Sequence, residues 1–383
     1  MTGCMPFVRN VRNWLHAAKL GDWGRGGARA FLTGRGTAGH VLGQLTPGTR
    51  CRTLARMSEQ SVTVAIVQAE VGTSFEDALE RTRAHAAEAA AQGARIIVFP
   101  ETWIPGYPAW LDCCRDVALW DHAPVKAVFA RMAEHSVVVD GASGAALRAV
   151  AWDIGATLVI GVTERVERGP GRGTLYNALL TIGADGTLLN HHRKLMPTYT
   201  ERMVWGAGDA DGVRAVDAEG IRVGGLICWE HWMPLPRQAM HESGEDLHVA
   251  VWPTVHEGHQ LASRHYAFEG RCHVLAVGAL MRASALPAEL EVHPDRVRSS
   301  DDWVLRGGSA VIAPDGRYIV EPVFEREAVL VAQLNLGRSR EESMTLDVTG
   351  HYHRPDLFTL SVRRDTRARG GDPALSELLT PIR

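Results

Sequence analysis

The stretch Val223-Gly-Gly-Leu-Ile-Cys228-Trp-Glu-His-Trp-Met-Pro-Leu-Pro-Arg-Gln-Ala-Met240 constrains the fold more than any other. An apolar run reaches Ile227, changes character at Cys228 and passes Pro234 into good helix formers, which predicts strand, sharp turn, helix. In parallel α/β sheets such turns stand at the carboxyl ends of strands, where the chemistry collects. A cysteine there faces a helix N-terminus, whose orphan N–H groups and dipole favour the thiolate, so its sulfur is a candidate nucleophile. A lone cysteine is also a common small buried hydrophobe, and what decides is its company.

Two further segments supply that company. Arg95-Ile-Ile-Val-Phe-Pro-Glu101 places a carboxylate just past a short β-rich run, before a loop of Pro, Gly and aromatics. Leu188-Leu-Asn-His-His-Arg-Lys194 places an ammonium beyond a second strand that follows the turn Ala184-Asp-Gly-Thr187, with Glu201 seven residues on. A thiol, an ammonium and two carboxylates at three strand ends make a candidate site.

Phe99-Pro-Glu101, His192-Arg-Lys194 with Pro197 and Glu201-Arg202, and Cys228-Trp-Glu230-His231 resemble the signatures of the carbon–nitrogen hydrolase superfamily, nitrilase branch. The resemblance runs from about Val62 to Leu360 and includes Gly307-Gly-Ser-Ala-Val-Ile-Ala-Pro-Asp-Gly316 and Gly350-His-Tyr-His-Arg-Pro-Asp-Leu357. It implies an α/β fold of α-β-β-α sandwich type and cofactor-free hydrolysis of a small-molecule nitrile to a carboxylic acid and ammonia. The Trp-Glu after the cysteine favours nitrile cleavage over amide cleavage. The alternatives are an amide-forming or cyanide-hydrolysing relative, an amidase, or a filament-forming homologue without chemistry. In the implied mechanism Cys228 attacks and forms a thioimidate, Glu101 moves protons, Lys194 steadies the tetrahedral intermediates and Glu201 positions the site. Glu230 reads as an anchor of the turn, and His231 as a wall or supporting group. The family also implies a homo-oligomer, a dimer or longer spiral, with Gly350–Leu360 the expected crossing element.

Aromatics near the motifs, namely Trp103, Tyr107, Trp110, Trp205, Trp229, Trp232 and Trp252, are candidates for a pocket lining. Trp103, Tyr107, Trp229, Trp232 and His231 are the expected substrate contacts. His191-His192 and His351-x-His353 lack a third ligand at sensible spacing, so no metal is expected.

Residues 1–56 hold nine basic residues against the single acid Asp22, a charge of +8, while the other 327 residues carry 32 basic and 43 acidic residues, or −11. The expectation is a leader outside the fold, with Met57 as the functional start. A transit peptide or a nucleic-acid-binding arm are the alternatives. The domain is expected over 57–362, with a C-terminal tail at 363–383. Six cysteines form no CxxC pair or framework, which fits a reducing cytoplasm. No apolar run suffices to span a bilayer, and neither a membrane nor a nucleic-acid partner is expected.

Along the domain, strands are expected at 62–68, 95–99, 157–162, 175–182, 187–191, 223–227, 248–252, 274–278, 308–312 and 318–320. Helices are expected at 75–91, 125–134, 144–153 and 263–270, and 287–302 reads as a surface loop.

Overall fold

The computed structural model describes residues 61–72 and 74–364. The basic segment 1–56 and the tail from 365 onward lie outside the described residues.

The first sheet has the order β13-β1-β2-β3-β4-β5. It comprises β1 (Ser61–Gln68), β2 (Ile96–Val98), β3 (Thr157–Arg165), β4 (Leu175–Ile182), β5 (Leu188–Arg193) and β13 (Ala328–Asn335). The second has the order β10-β11-β9-β8-β7-β6, with β12 paired to β11. Its strands are β6 (Val216–Ala218), β7 (Ile221–Ile227), β8 (Leu247–Trp252), β9 (His273–Gly278), β10 (Leu280–Arg282), β11 (Trp303–Ile312) and β12 (Tyr318–Phe324). Each sheet has a parallel centre, β1-β2-β3 and β7-β8-β9, flanked by antiparallel strands.

The period-two pattern of β1 shows how the layers form. Val62, Val64 and Ile66 point inward and share a core with Val223, Ile227, Val249 and Leu275 of the second sheet. Ala65 and Val67 point outward, against α1 (Phe75–Ala91) and α4 (Ala142–Ile154), through Ala78, Ala86, Leu147 and Val150. On the far side, α5 (Pro234–Glu242) and α6 (Glu257–Gly270) cover the second sheet with Ala239, Met240, Ala262 and Ala267. Each buried Val, Leu or Ile side chain contributes about 1.5–3 kcal/mol, so a strand slipped by one residue would forfeit the whole inner row. The result is the expected α-β-β-α sandwich.

Several features differ from the sequence reading. The expected last hairpin is followed by β13, which pairs antiparallel with all of β1 and adds Ala332 and Leu334 to the inner core. Helix α6 starts at Glu257, six residues before the expected Ser263, with His259 in its first turn. The segment 287–302 is irregular as expected, yet Leu290 and Val297 bury themselves beside α2 (Trp110–Cys113) and α3 (Ala123–Glu134). At the C-terminal edge Arg364, expected in the tail, donates to the Val213 carbonyl at 2.8 Å. Among the described residues no helix is long and apolar enough to cross a membrane.

Candidate active site

Glu101 follows β2, and its backbone crosses β3 at Gly161, where a Cβ would stand 2.2 Å from the Pro100 carbonyl oxygen. Only a glycine permits that approach. Lys194 follows β5, its N–H donating to Asn177 O at 2.8 Å. Cys228 follows β7 with φ of 54°, a left-handed conformation that costs a β-carbon-bearing residue about 1–3 kcal/mol and turns the side chain out of the strand. It opens a five-residue 3-10 turn, and α5 starts only at Pro234.

These strand ends bring four functional groups together. Lys194 Nζ donates to Glu101 Oε1 at 3.0 Å and to Glu201 Oε2 at 2.7 Å. Glu101 Oε1 also accepts from Asn177 Nδ2 at 2.6 Å, while its Oε2 has no hydrogen-bond partner. Glu201 accepts from Tyr107 Oη at 2.9 Å and from the Thr198 N–H at 2.7 Å. One oxygen of each carboxyl and the Cys228 sulfur lie within 4.8 Å of one another, and all three residues are buried. That spacing suits a metal ion geometrically, but the Lys194 ammonium already bridges the two carboxyls and would repel a second cation.

Two carboxyls share one ammonium here, which sets the protonation states. Burial pushes Glu101 up to about 7; Lys194 pulls it back, and the like charge of Glu201 adds to the rise. Burial would lower Lys194, but Glu101, Cys228 and Glu201 raise it, so it stays an ammonium. Burial, with Glu101 second, raises the Cys228 thiol well above its ordinary value. The expectation that the turn favours a thiolate is therefore corrected. The helix starts six residues away, burial and the neighbouring carboxyls outweigh it, and the sulfur is held as a thiol beside a carboxyl with a free oxygen.

A cavity of about 770 Å³ opens over this cluster, with Cys228 and Glu201 in its wall. Of the expected substrate contacts, Tyr107, Trp229 and Trp232 line it, and the two indoles meet edge to face with centroids 5.2 Å apart. Trp103 does not. It is 0 % exposed, its indole N–H donating to Thr82 Oγ1 at 2.8 Å beneath α1. His231 is also buried away from the cavity, its ring bonded to the Cys228 carbonyl. Trp110, Trp205 and Trp252 are core residues, Trp205 packing on Tyr107 and Trp252 on His231. The lining that sequence reasoning missed includes Met196, Tyr199, His256, His259 and Leu305, from loops, a 3-10 turn, the first turn of α6 and the start of β11.

Glu230 accepts from the N–H groups of Ile227 at 2.7 Å and Leu195 at 2.8 Å and bonds His192 Nε2 at 2.9 Å. It thereby ties the Cys228 turn to the strand that carries Lys194. His191 pairs with Glu164 at 2.8 Å, so both members of the His-His pair serve carboxylates.

Known proteins place this architecture. Residues 63–342 match the family model of the carbon–nitrogen hydrolases. The chain is 37 % identical over 311 residues to Nitrilase 2 of an unknown prokaryotic organism, covering 80 % of this chain and 94 % of that one. It is 35 % identical over 310 residues to a bifunctional nitrilase/nitrile hydratase of Lupinus angustifolius, covering 79 % and 86 %. Among solved structures, a carbon–nitrogen hydrolase superfamily protein of Xanthomonas campestris superposes with a TM-score of 0.58 at 20 % identity, covering 79 % of this chain and all of that one. With its motifs on three neighbouring strand ends and these relatives along four-fifths of its length, the chain is a hydrolase of carbon–nitrogen bonds that belongs to the nitrilase branch of the carbon–nitrogen hydrolase superfamily.

Proposed function

We propose that the chain hydrolyses an organic nitrile to the carboxylic acid and ammonia through a covalent bond to Cys228. The observation that carries this reading is the free Oε2 of a buried Glu101 beside a buried thiol, with an ammonium fixed on its other oxygen. Glu101 takes the thiol proton as sulfur attacks the nitrile carbon, then delivers it to nitrogen, leaving a thioimidate on Cys228. Water adds to the thioimidate carbon, ammonia departs, and the remaining thioester is cleaved by a second water that returns the proton to sulfur. Two waters enter and one acid and one ammonia leave, so no cofactor is consumed. Lys194 stabilises the charge that builds at each tetrahedral stage, a role for which such donors contribute about 3–4 kcal/mol. Glu201, held by Tyr107 and the Thr198 N–H, keeps Lys194 in place and faces the cavity where water enters.

The indoles of Trp229 and Trp232 support planar or arylacetic nitriles as the substrate class, because they offer flat apolar surface at the cavity wall. Ammonia release from aryl, arylacetic and aliphatic nitriles and from cyanide tests the reading. Turnover of amides with none of these cleaved would move the chain to the amide-cleaving relatives. Expulsion of sulfur before ammonia would give the amide as a second product. Assembly into a homo-oligomer is supported by the exposed Tyr352, Leu357 and Phe358 of the C-terminal segment. A cytoplasmic location is in keeping with the four unpaired cysteines among the described residues.

A further inference from the structure

Behind Cys228, away from the cavity, a line of buried side chains runs through the second sheet toward the opposite surface. His231 Nδ1 lies 2.7 Å from the Cys228 carbonyl oxygen, and His231 Nε2 lies 3.0 Å from His248 Nε2. His248 Nδ1 lies 2.6 Å from Glu245 Oε1, and Tyr266 Oη donates to Glu245 Oε2 at 2.6 Å. Trp252 stacks on the His231 ring and Tyr266 on the His248 ring, with centroids 4.8 Å and 3.7 Å apart, which fixes both ring planes. Room for the carboxyl is made by Gly224 of β7, where a Cβ would stand 1.9 Å from Glu245 Oε1.

The hydrogens on this line are determined by its ends. A carbonyl oxygen only accepts, so His231 carries its proton on Nδ1 and presents a lone pair at Nε2. His248 must then donate from Nε2. A neutral His248 has its lone pair at Nδ1, and Glu245 Oε1 must supply a proton to that bond. We propose that Glu245, His248 and His231 form a positioning relay that holds the Cys228 turn, and that the relay is intact only while Glu245 keeps its proton. When the proton leaves, His248 turns Nδ1–H toward the carboxylate and sets its Nε2 lone pair against that of His231, 3.0 Å away. One of the two rings then loses its bond, and the Cys228 carbonyl loses its donor.

The surroundings favour the neutral arrangement. Burial raises Glu245 to about 7, partly offset by His241 and by the Tyr266 bond. Burial, with His241 second, holds His248 well below its ordinary value, and burial with His248 holds His231 near 3. Around the line, α5 contributes His241 and Arg237, and α6 contributes Tyr266 and Glu269. The thiol of Cys272 before β9 and the Asp246 carboxyl also face this region, and Glu230 and His192 act on His248 from the Cys228 side. A polar cavity of about 290 Å³, lined by His241, Glu245, Glu269 and Asp347, gives the departing proton a path to solvent.

The relay rests on Cys228 being the nucleophile, and its test separates the two ideas. In Glu245→Gln the side-chain amide donates to His248 and its oxygen accepts from Tyr266, but nothing titrates. We expect kcat near pH 7 within about threefold of wild type, and the alkaline decline of kcat, about tenfold per pH unit in wild type, moved upward or removed. Glu245→Ala lowers kcat by about 10-fold to 100-fold, since the turn that carries Cys228 is displaced. An unchanged alkaline limb in Glu245→Gln overturns the proposal. In wild type without substrate, nitrogen-15 NMR of the imidazoles, assigned through His231→Gln and His248→Gln, should show Nδ1–H on His231 and Nε2–H on His248 below pH 7. It should also show His248 switching as the pH rises. An imidazolium or Nδ1–H form of His248 below pH 7 overturns it as well, even if the Gln variant fails to fold. Because the tautomers are read without a nitrile, the expected spectra together with an inactive nitrile panel would reject the substrate and leave the relay standing.

Discussion

On the cavity side of Cys228, Glu101 receives two donors on one oxygen and none on the other, and shares its ammonium with a second carboxyl. On the strand side, two residues away in sequence, Glu230 receives two backbone N–H groups and a histidine, spread over both oxygens. Both are glutamates, and both are fully buried. Burial raises the first, whereas at Glu230 the burial penalty is outweighed by His192 and the two N–H groups, which lower it. Burial alone therefore does not decide whether a carboxyl is an acid, a base or a permanent anion. The number of donors aimed at it does. The under-supplied glutamate is the one placed to exchange a proton, and the saturated one holds the frame.

Replacing the proposed nucleophile draws the sharpest line between the two sides. Cys228→Ala and Cys228→Ser should reduce turnover by at least about 10⁴-fold while leaving the circular dichroism and Tm near wild type, because a hydroxyl is a far weaker nucleophile at this pH. Cys272→Ala, in the buried cluster behind, should show the reverse, a lowered Tm with kcat retained. Labelling of Cys113 rather than Cys228 by iodoacetamide, with loss of activity, would break the assignment.

Glu230→Ala leaves two buried N–H groups and His192 without their acceptor, and should destabilise the fold by about 3–5 kcal/mol in urea titration. Lys194→Ala should lower kcat by about 10²–10³-fold, the loss of one oxyanion-type donor. If Glu230→Ala were as stable as wild type, the contrast between frame and site would fail.

The parts of this arrangement that were legible in the sequence are those fixed by strand ends. Glu101 and Cys228 each follow an apolar run and Lys194 a strand announced by the turn before it, so their places could be read from pattern, and the family resemblance joined them into one site. Which way an aromatic ring faces is different. Trp103 and Trp229 both come one or two residues after a motif, yet Trp103 finds the Thr82 hydroxyl under α1 and Trp229 faces the cavity. That choice depends on packing partners more than 20 residues away, and no local pattern encodes it. His248 and Glu245 were invisible for the same reason, since nothing near them signals a contact with His231. The strand β13 did have a signal in Ala328-Val-Leu-Val-Ala332, but its partner is β1, at the other end of the domain.

The raised Glu101 gives the comparison a pH axis with a definite sign. Between about 4.5 and 7 the folded chain holds the Glu101 proton and the unfolded chain releases it, so this group's contribution to stability falls as pH rises through that window. Activity should move the other way, because the free carboxylate is the proposed base, and kcat/KM should climb toward pH 7. Glu101→Gln mimics the protonated form. The difference in unfolding free energy between wild type and this variant should drift against wild type up to about pH 7 and then level off. A flat difference would mean that Glu101 is ionised throughout, like Glu230.

The smallest effect lies at the cavity wall. Trp229 and Trp232 are 53 % and 40 % exposed, so a substrate ring covering them gains apolar contact that the fold itself does not use. Edge-to-face packing leaves each indole edge braced by the other, and an aryl group seated there gains on the order of 1 kcal/mol per aromatic contact. Trp232→Ala removes one contact and unbraces Trp229, and should lower kcat/KM for phenylacetonitrile about fivefold relative to an aliphatic dinitrile. The pair of substrates matters because a displaced Cys228 turn would depress both equally, whereas a lost stacking surface changes only their ratio. An unmoved ratio would return Trp232 to the frame, and selectivity would then have to come from Met196, Tyr199 or His259 on the remaining walls.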